Sequence, residues 1–121
     1  MRIERFEEIE SWKEARLLVS DVYKLLGHCR DYGFKDQIQR AAISVMSNIA
    51  EGFDRGSNRE FVQYLIISRG SASEVKSLAH AGLDVGYLTQ DAFETVMLRC
   101  NKISNLLNGF IRFLKTAQRK A

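Results

Sequence analysis

The stretch Arg40-Ala-Ala-Ile-Ser-Val-Met-Ser-Asn-Ile-Ala-Glu-Gly52 decides the fold. Wound as an α-helix, this region places Ile38, Ala42, Val45 and Ile49 on one apolar stripe. Ile43, Met46, Ala50 and Phe53 form a second stripe beside it. Together the two exceed the roughly 100° arc that a bundle core requires. What remains is a narrow polar strip of Arg40, Ser44, Ser47, Asn48 and Glu51, at spacings of four, three, one and three. A helix apolar on two sides has a second surface to bury, and the expected cover is another copy of the chain. Burial deep within its own monomer is the alternative.

Working outward, three more helices flank this one. Ser11-Trp-Lys-Glu14 reads as a capping box, followed by Trp12, Ala15, Val19, Val22, Leu26 and Cys29 at helical spacing. That first helix is expected to end between Gly27 and Gly33, with the second starting after Gly33 and stopping near Asp54-Arg55-Gly56. Ser57-Asn-Arg-Glu60 is another capping box, opening a helix whose inner stripe is Phe61, Leu65, Ser68, Ala72, Val75, Ala79 and Gly82. Gly86-Tyr-Leu-Thr89 reads as a turn and N-cap, with Asp91 placed against the helix dipole. The last helix carries Phe93, Val96, Cys100, Ile103, Leu107, Phe110 and Leu114. The chain has no proline, which favours long unbroken helices. Long helices joined by short turns predict an all-α fold, an antiparallel up-down-up-down four-helix bundle formed by residues 1–121 as one domain.

With 121 residues, 45% hydrophobic and 27% charged, the composition suits one soluble globular core. The first residues lack the apolar run of a signal peptide, and no segment reaches the ~18 apolar residues of a membrane span. Cys29 and Cys100 are isolated, as expected of reduced thiols in a cytoplasmic protein. No membrane contact is expected. Charge is uneven. Residues 1–94 carry 12 basic and 15 acidic side chains, whereas residues 95–121 carry six basic ones and no acid.

Those six, Arg99, Lys102, Arg112, Lys115, Arg119 and Lys120, are the candidate nucleic-acid contacts, because phosphate binding needs clustered Lys and Arg. The alternative is structural. In an up-down bundle they lie beside Glu4, Glu7, Glu8, Glu10 and Glu14, and basic residues also offset a helix C-terminal dipole. Arg40, Asn48, Glu51, Arg69 and Glu74 are expected to form a polar network fixing register or subunit orientation, with Arg40 facing Glu74.

Neither cofactor nor metal is expected. His28, Cys29, His80 and Cys100 lack ligand spacing. Catalysis would have to use Glu51 or Glu74 with Ser47 or Ser71, yet no histidine accompanies those serines and no phosphate-cradling loop is present. A small-molecule substrate is therefore not expected. Trp12 and Tyr87 either stack on bases or seal the bundle ends.

Several of these residues also carry a resemblance. Trp12-Lys13-x-Ala15, Gln37-x-x-Arg40-Ala-Ala-x-Ser44, Ser47-Asn-Ile-Ala-Glu-Gly52, Glu60-Phe61, Arg69-Gly-Ser-Ala-x-Glu74 and Gly86-Tyr-Leu88 together resemble the four-helix bundle proteins encoded in intervening sequences of bacterial 23S ribosomal RNA genes. More distantly, the chain is similar to the accessory variability determinant of diversity-generating retroelements, a basic pentamer that engages nucleic acid and a reverse transcriptase. The resemblance implies a non-enzymatic homo-oligomer, with a pentamer favoured. It would act as an assembly or adaptor module touching RNA or a ribonucleoprotein, or else as a structural oligomer with a protein partner. The chain departs from the family where members commonly have proline, at Met46 and in the turn His28-Cys29-Arg30, which should straighten the second helix.

Overall fold

The computed structural model describes residues 2–120, and the side chains of residues 2–117. A single turn of 3-10 helix at Phe6–Glu8 precedes four α-helices: α1 (Glu10–Leu25), α2 (Tyr32–Asp54), α3 (Asn58–Asp84) and α4 (Gln90–Lys120). The described residues contain no strand.

One buried cluster draws on all four helices, with Leu18, Ile38, Ile49, Leu65, Ile103 and Leu107 fully enclosed. Each such side chain contributes roughly 1.5–3 kcal/mol relative to exposure. α1 packs on α2 and α4, and α3 packs on α2 and α4, so each helix has two neighbours. The pairings fit the antiparallel arrangement that short turns favour. Near the start of α3, Phe61 meets Phe110 from late α4, while His80 from late α3 meets Phe93 from early α4. Likewise Gly52 of late α2 lies against Phe61 and Tyr64, and Phe34 of early α2 lies against Gly82.

Every member of the predicted α3 stripe, Phe61 through Gly82, is buried. Ser68 fits this apolar position because its hydroxyl donates to the Val45 carbonyl oxygen at 2.7 Å, which satisfies it without water. Ser57 caps α3 as its sequence indicates, accepting from the Glu60 amide at 3.2 Å. Thr89 caps α4 through the Ala92 amide. α2 runs unbroken for 23 residues through Met46.

Two boundaries differ from expectation. Ser11 does not cap α1. Ile9 occupies that position with no side-chain hydrogen bond, and Ser11 sits inside the first turn, buried, its hydroxyl without a partner. The reason is periodicity: Ser11 lies four and seven residues before Ala15 and Leu18, so burying that stripe buries Ser11 too. Glu14 is thereby freed to face α4. α2 starts before Gly33, because Asp31 caps it by accepting from the Phe34 amide at 3.1 Å.

The second apolar stripe of α2 is also covered more fully than predicted. Met46, Ala50 and Phe53 are half-buried against the chain's own core, and Ile43 alone of the four is exposed. Neighbouring helices and the aromatic group around Phe61 supply the cover.

Candidate functional site

Three surfaces hold the residues singled out by sequence. The first is the outward seam between α2 and α3. Ser44 and Ser71 share a hydrogen bond at 2.8 Å, and the Asn48 amide donates to both the hydroxyl and the carbonyl oxygen of Ser44. This half-buried ladder fixes the axial level of the two helices, since sliding either by one turn would strand its hydroxyls. Exposed Ile67 stands at the seam, one turn before Ser71 on α3, whereas exposed Ile43 lies on the other flank of α2, beside Tyr23 of α1.

Within one chain the five-residue network is not continuous. Arg40 pairs with Asp36, one helical turn earlier, at 2.8 Å, and not with Glu74. A local partner on the same helix needs no reach across the groove. Arg69 lies on the opposite flank of α3 and donates to the Asn108 side-chain oxygen on α4 at 2.8 Å. Glu51 and Glu74 are exposed, and neither makes an ion pair among the described residues.

The second surface is an ionic clasp between α1 and α4. Arg99 donates to Glu14 at 2.9 Å and to Asp21 at 3.1 Å, and Lys102 approaches Glu14 at 3.2 Å. The Glu14 side chain is 12% exposed. Burial opposes its charge, but hydrogen bonds from Arg99 and Lys102 outweigh that, so its carboxyl sits below the ordinary carboxylate range. Arg99 and Lys102 are thus occupied structurally. Of the predicted nucleic-acid contacts, Arg112 and Lys115 are exposed and make no ion pair with a described carboxylate. The side chains of Arg119 and Lys120 lie outside the described residues.

The third surface joins the α1–α2 and α3–α4 turns. The Tyr87 hydroxyl donates to Asp31 at 2.7 Å, so one carboxylate caps α2 and ties down the other turn. Asp31 lies below its ordinary value chiefly because of the Tyr87 bond, and the Tyr87 phenol is raised chiefly by the same bond. Tyr87→Phe is expected to move the Asp31 pKa up toward 3.8, as read from a carboxyl NMR titration. An unchanged value would disprove the tie. Asp31 was not singled out in the sequence, although aspartate just before an apolar-periodic segment is a recognisable helix-start signal.

Trp12 is buried and meets Phe6 edge-on at 5.2 Å between ring centres, so it seals the bundle end. Both cysteines are buried, and burial pushes the Cys100 thiol up to about 12. Among the described residues, no group of three His, Cys, Asp or Glu side chains is placed to hold a metal ion, and no helix is long and apolar enough to cross a membrane.

A compact set of four helices with its distinctive polar residues on outer seams defines an all-α helical bundle protein, built around surfaces more than around an enclosed pocket. The 23S rRNA-intervening sequence protein family matches residues 7–109, and the chain belongs to that family. Its fold is similar to the crystal structure of a protein of unknown function from the S23 ribosomal protein family of Bacteroides thetaiotaomicron. The TM-score is 0.78 at 22% identity, over 84% of this chain and 97% of that one. No curated protein matches the chain.

Proposed function

We propose that this chain is a non-enzymatic, cytoplasmic adaptor that works as a homo-oligomer of antiparallel up-down-up-down bundles, with the α2–α3 seam as its subunit contact. The observation that carries this reading is the company kept at the seam. Half-buried serine and asparagine groups are bordered by exposed Ile67 and by Glu51 and Glu74, two exposed carboxylates with no ion pair among the described residues. Apolar groups beside oriented polar ones suit a specific protein interface better than a solvated face. The Arg40–Asp36 pair is exposed on both sides and contributes only about 0.3–0.5 kcal/mol, so Arg40 can exchange Asp36 for a carboxylate of a neighbouring copy at little cost. A ring of such contacts is the pentamer favoured by the family resemblance.

Ile67→Asp should convert the oligomer into smaller species of unchanged helicity, measured by native mass and circular dichroism. A wild-type chain that is monomeric at tens of micromolar would end this reading.

Among the described residues of the basic tail, the cations free for an RNA contact are Arg112 and Lys115, to which Arg119 and Lys120 of the same tail would add, repeated around the assembly. Each phosphate neutralised on single-stranded RNA contributes about −0.7 to the slope of log affinity against log salt. Retention of RNA should therefore fall steeply with salt and weaken further when Arg112 and Lys115 are both changed to glutamine. Absent or salt-insensitive retention would favour the second reading, a structural oligomer whose partner is another protein.

A further inference from the structure

Seven residues make almost two turns of α-helix, so every seventh side chain returns to nearly the same flank about 10 Å further on. On α3 one such series is Val62, Arg69 and Lys76, and on α4 another is Asn101, Asn108 and Lys115. The two series meet in one seam, because Arg69 donates to the Asn108 side-chain oxygen at 2.8 Å. Phe61 meets Phe110 and His80 meets Phe93, so rising numbers on α3 face falling numbers on α4. Lys76 therefore lies near the level of Asn101, and Lys115 near that of Val62. The seam carries Lys76, Arg69 and Lys115 in a row of about 20 Å, with exposed Arg112 beside it, one turn past Asn108.

These four cations have no counter-charge of their own. None makes an ion pair among the described residues. Arg69 and Lys76 are half-buried, where charge is costly to leave uncompensated. The Asn108 amide takes one of the five donors of the Arg69 guanidinium and none of its charge. Burial raises the Cys100 thiol, and the Lys76 ammonium is what opposes it, which sets that charge against α4. Arg99, half-buried on the other flank of α4, shows the contrast by holding two carboxylates. No acid occurs in residues 95–121. The acids along this length of α3 belong to its α2 side: Glu60 pairs with Arg55, and Glu74 stands one turn after Ser71, which bonds Ser44. Carboxylates return only at the His80 end, with Asp84 and Glu94, and they bound the row there.

We infer that the α3–α4 seam is a track for a single strand of RNA, its phosphates meeting Lys76, Arg69, Arg112 and Lys115 while the Asn101 and Asn108 amides hydrogen-bond between them. The inference rests on the RNA reading above and extends the contact from the tail onto α3. A straight row of like charges suits a strand that carries one negative charge per nucleotide. An acidic protein would need apolar anchors to bury beside it, and the side chains set between these cations are amides. The track lies on the opposite flank of α3 from Ile67 and Ser71, so a ring closed through the α2–α3 seam leaves it open and repeats it in every subunit.

Anisotropy of a labelled oligouridylate of about a dozen residues, titrated with the full chain over a salt series, tests this. Arg69→Gln with Lys76→Gln should make the slope of log affinity against log salt shallower by about 1.4, two contacts at about 0.7 each. Arg16→Gln with Lys24→Gln removes the same charge from exposed positions on α1 and should leave the slope unchanged. Asn101→Glu, at an exposed position, gives Lys76 a carboxylate from its own chain and should weaken binding with helicity unchanged. That variant keeps the test independent of how the fold tolerates replacing Arg69. A wild type that shows no salt-dependent binding would end the RNA reading and the track together. Binding that weakens with Arg112→Gln and Lys115→Gln, but not with Arg69→Gln and Lys76→Gln, would leave that reading standing and overturn the track alone. An equal loss from the α1 pair would do the same. An oligoglutamate of equal charge that binds as tightly, and responds to the same substitutions, would replace RNA with an acidic protein as the occupant.

Discussion

Gly52→Val should destabilise the fold by about 3 kcal/mol, the upper end of what overpacking a tight core usually costs. A Cβ built on Gly52 would lie 2.6 Å from the Cβ of Tyr64 and 3.0 Å from the ring of Phe61. Tyr64 Cβ is fixed to its helix and cannot swing aside, so α2 and α3 would have to separate where they pack most closely. Their separation would also stretch the Ser44–Ser71 and Ser68–Val45 hydrogen bonds further along the same pair. Alanine at this position regains roughly 1 kcal/mol of helix propensity and should be milder. Gly70 supplies the contrast, because a Cβ there meets nothing within 4 Å in its own chain. Denaturant midpoints of the dissociated chains would compare the three. A valine variant as stable as the wild type would mean that the two helices do not approach so closely.

Arg99→Ala should cost about 2–3 kcal/mol. Removing one partner of a buried ion pair typically costs 3–5 kcal/mol, and the lower figure here allows for residual solvent and for Lys102, which still reaches Glu14. The loss comes from Glu14 and Asp21, left facing α4 with too little positive charge. The same clasp makes stability depend on pH in a defined direction. Glu14 is held below its ordinary value of 4.5 in the folded chain, so the unfolded chain takes up a proton more readily as acid is added. Its contribution is complete above pH 4.5 and is lost as pH falls through the lower folded value. In Arg99→Ala that part of the acid dependence should flatten, as followed by thermal melts between pH 3 and pH 7. A double-mutant cycle with Glu14→Ala should show coupling, and additive effects would refute the clasp.

The helices themselves were legible because their signals are local and repeated. The α3 stripe from Phe61 to Gly82, the Ser57 cap and the Thr89 cap each depend on spacing within one helix, and each stands where the spacing placed it. Ser11 shows how such a signal fails: the Ser-x-x-Glu pattern is short, and the demand to bury the Ala15–Leu18 stripe overrode it. The side-chain partners were harder. Arg40 had one acid a turn away on its own helix and another expected across a groove, and the nearer one holds it. In the sequence Arg99 is simply one of six basic tail residues. Its rotation on α4, which points it at Glu14 and Asp21, emerges only when α1 and α4 are docked. The apolar hollow between the start of α1 and the end of α4 left no trace in the sequence, because Ile3 and Phe113, which line it, come from opposite ends of the described chain and become neighbours only in the bundle.

The Arg99 clasp has a consequence for how the chain reaches this state. Its hydrogen bonds join residues 78 and 85 positions apart, whereas α1–α2, α2–α3 and α3–α4 are each neighbours along the chain. Closing a long loop costs more chain entropy than closing a hairpin, so hairpins gain their reward sooner. The central pair α2–α3, already pinned by Ser68 and the close approach at Gly52, is placed to nucleate, with the first and last helices meeting at the end. Thus the step that completes the bundle is also the one that neutralises its most enclosed carboxylate, and acid would slow that final closure before it disturbed the nucleus.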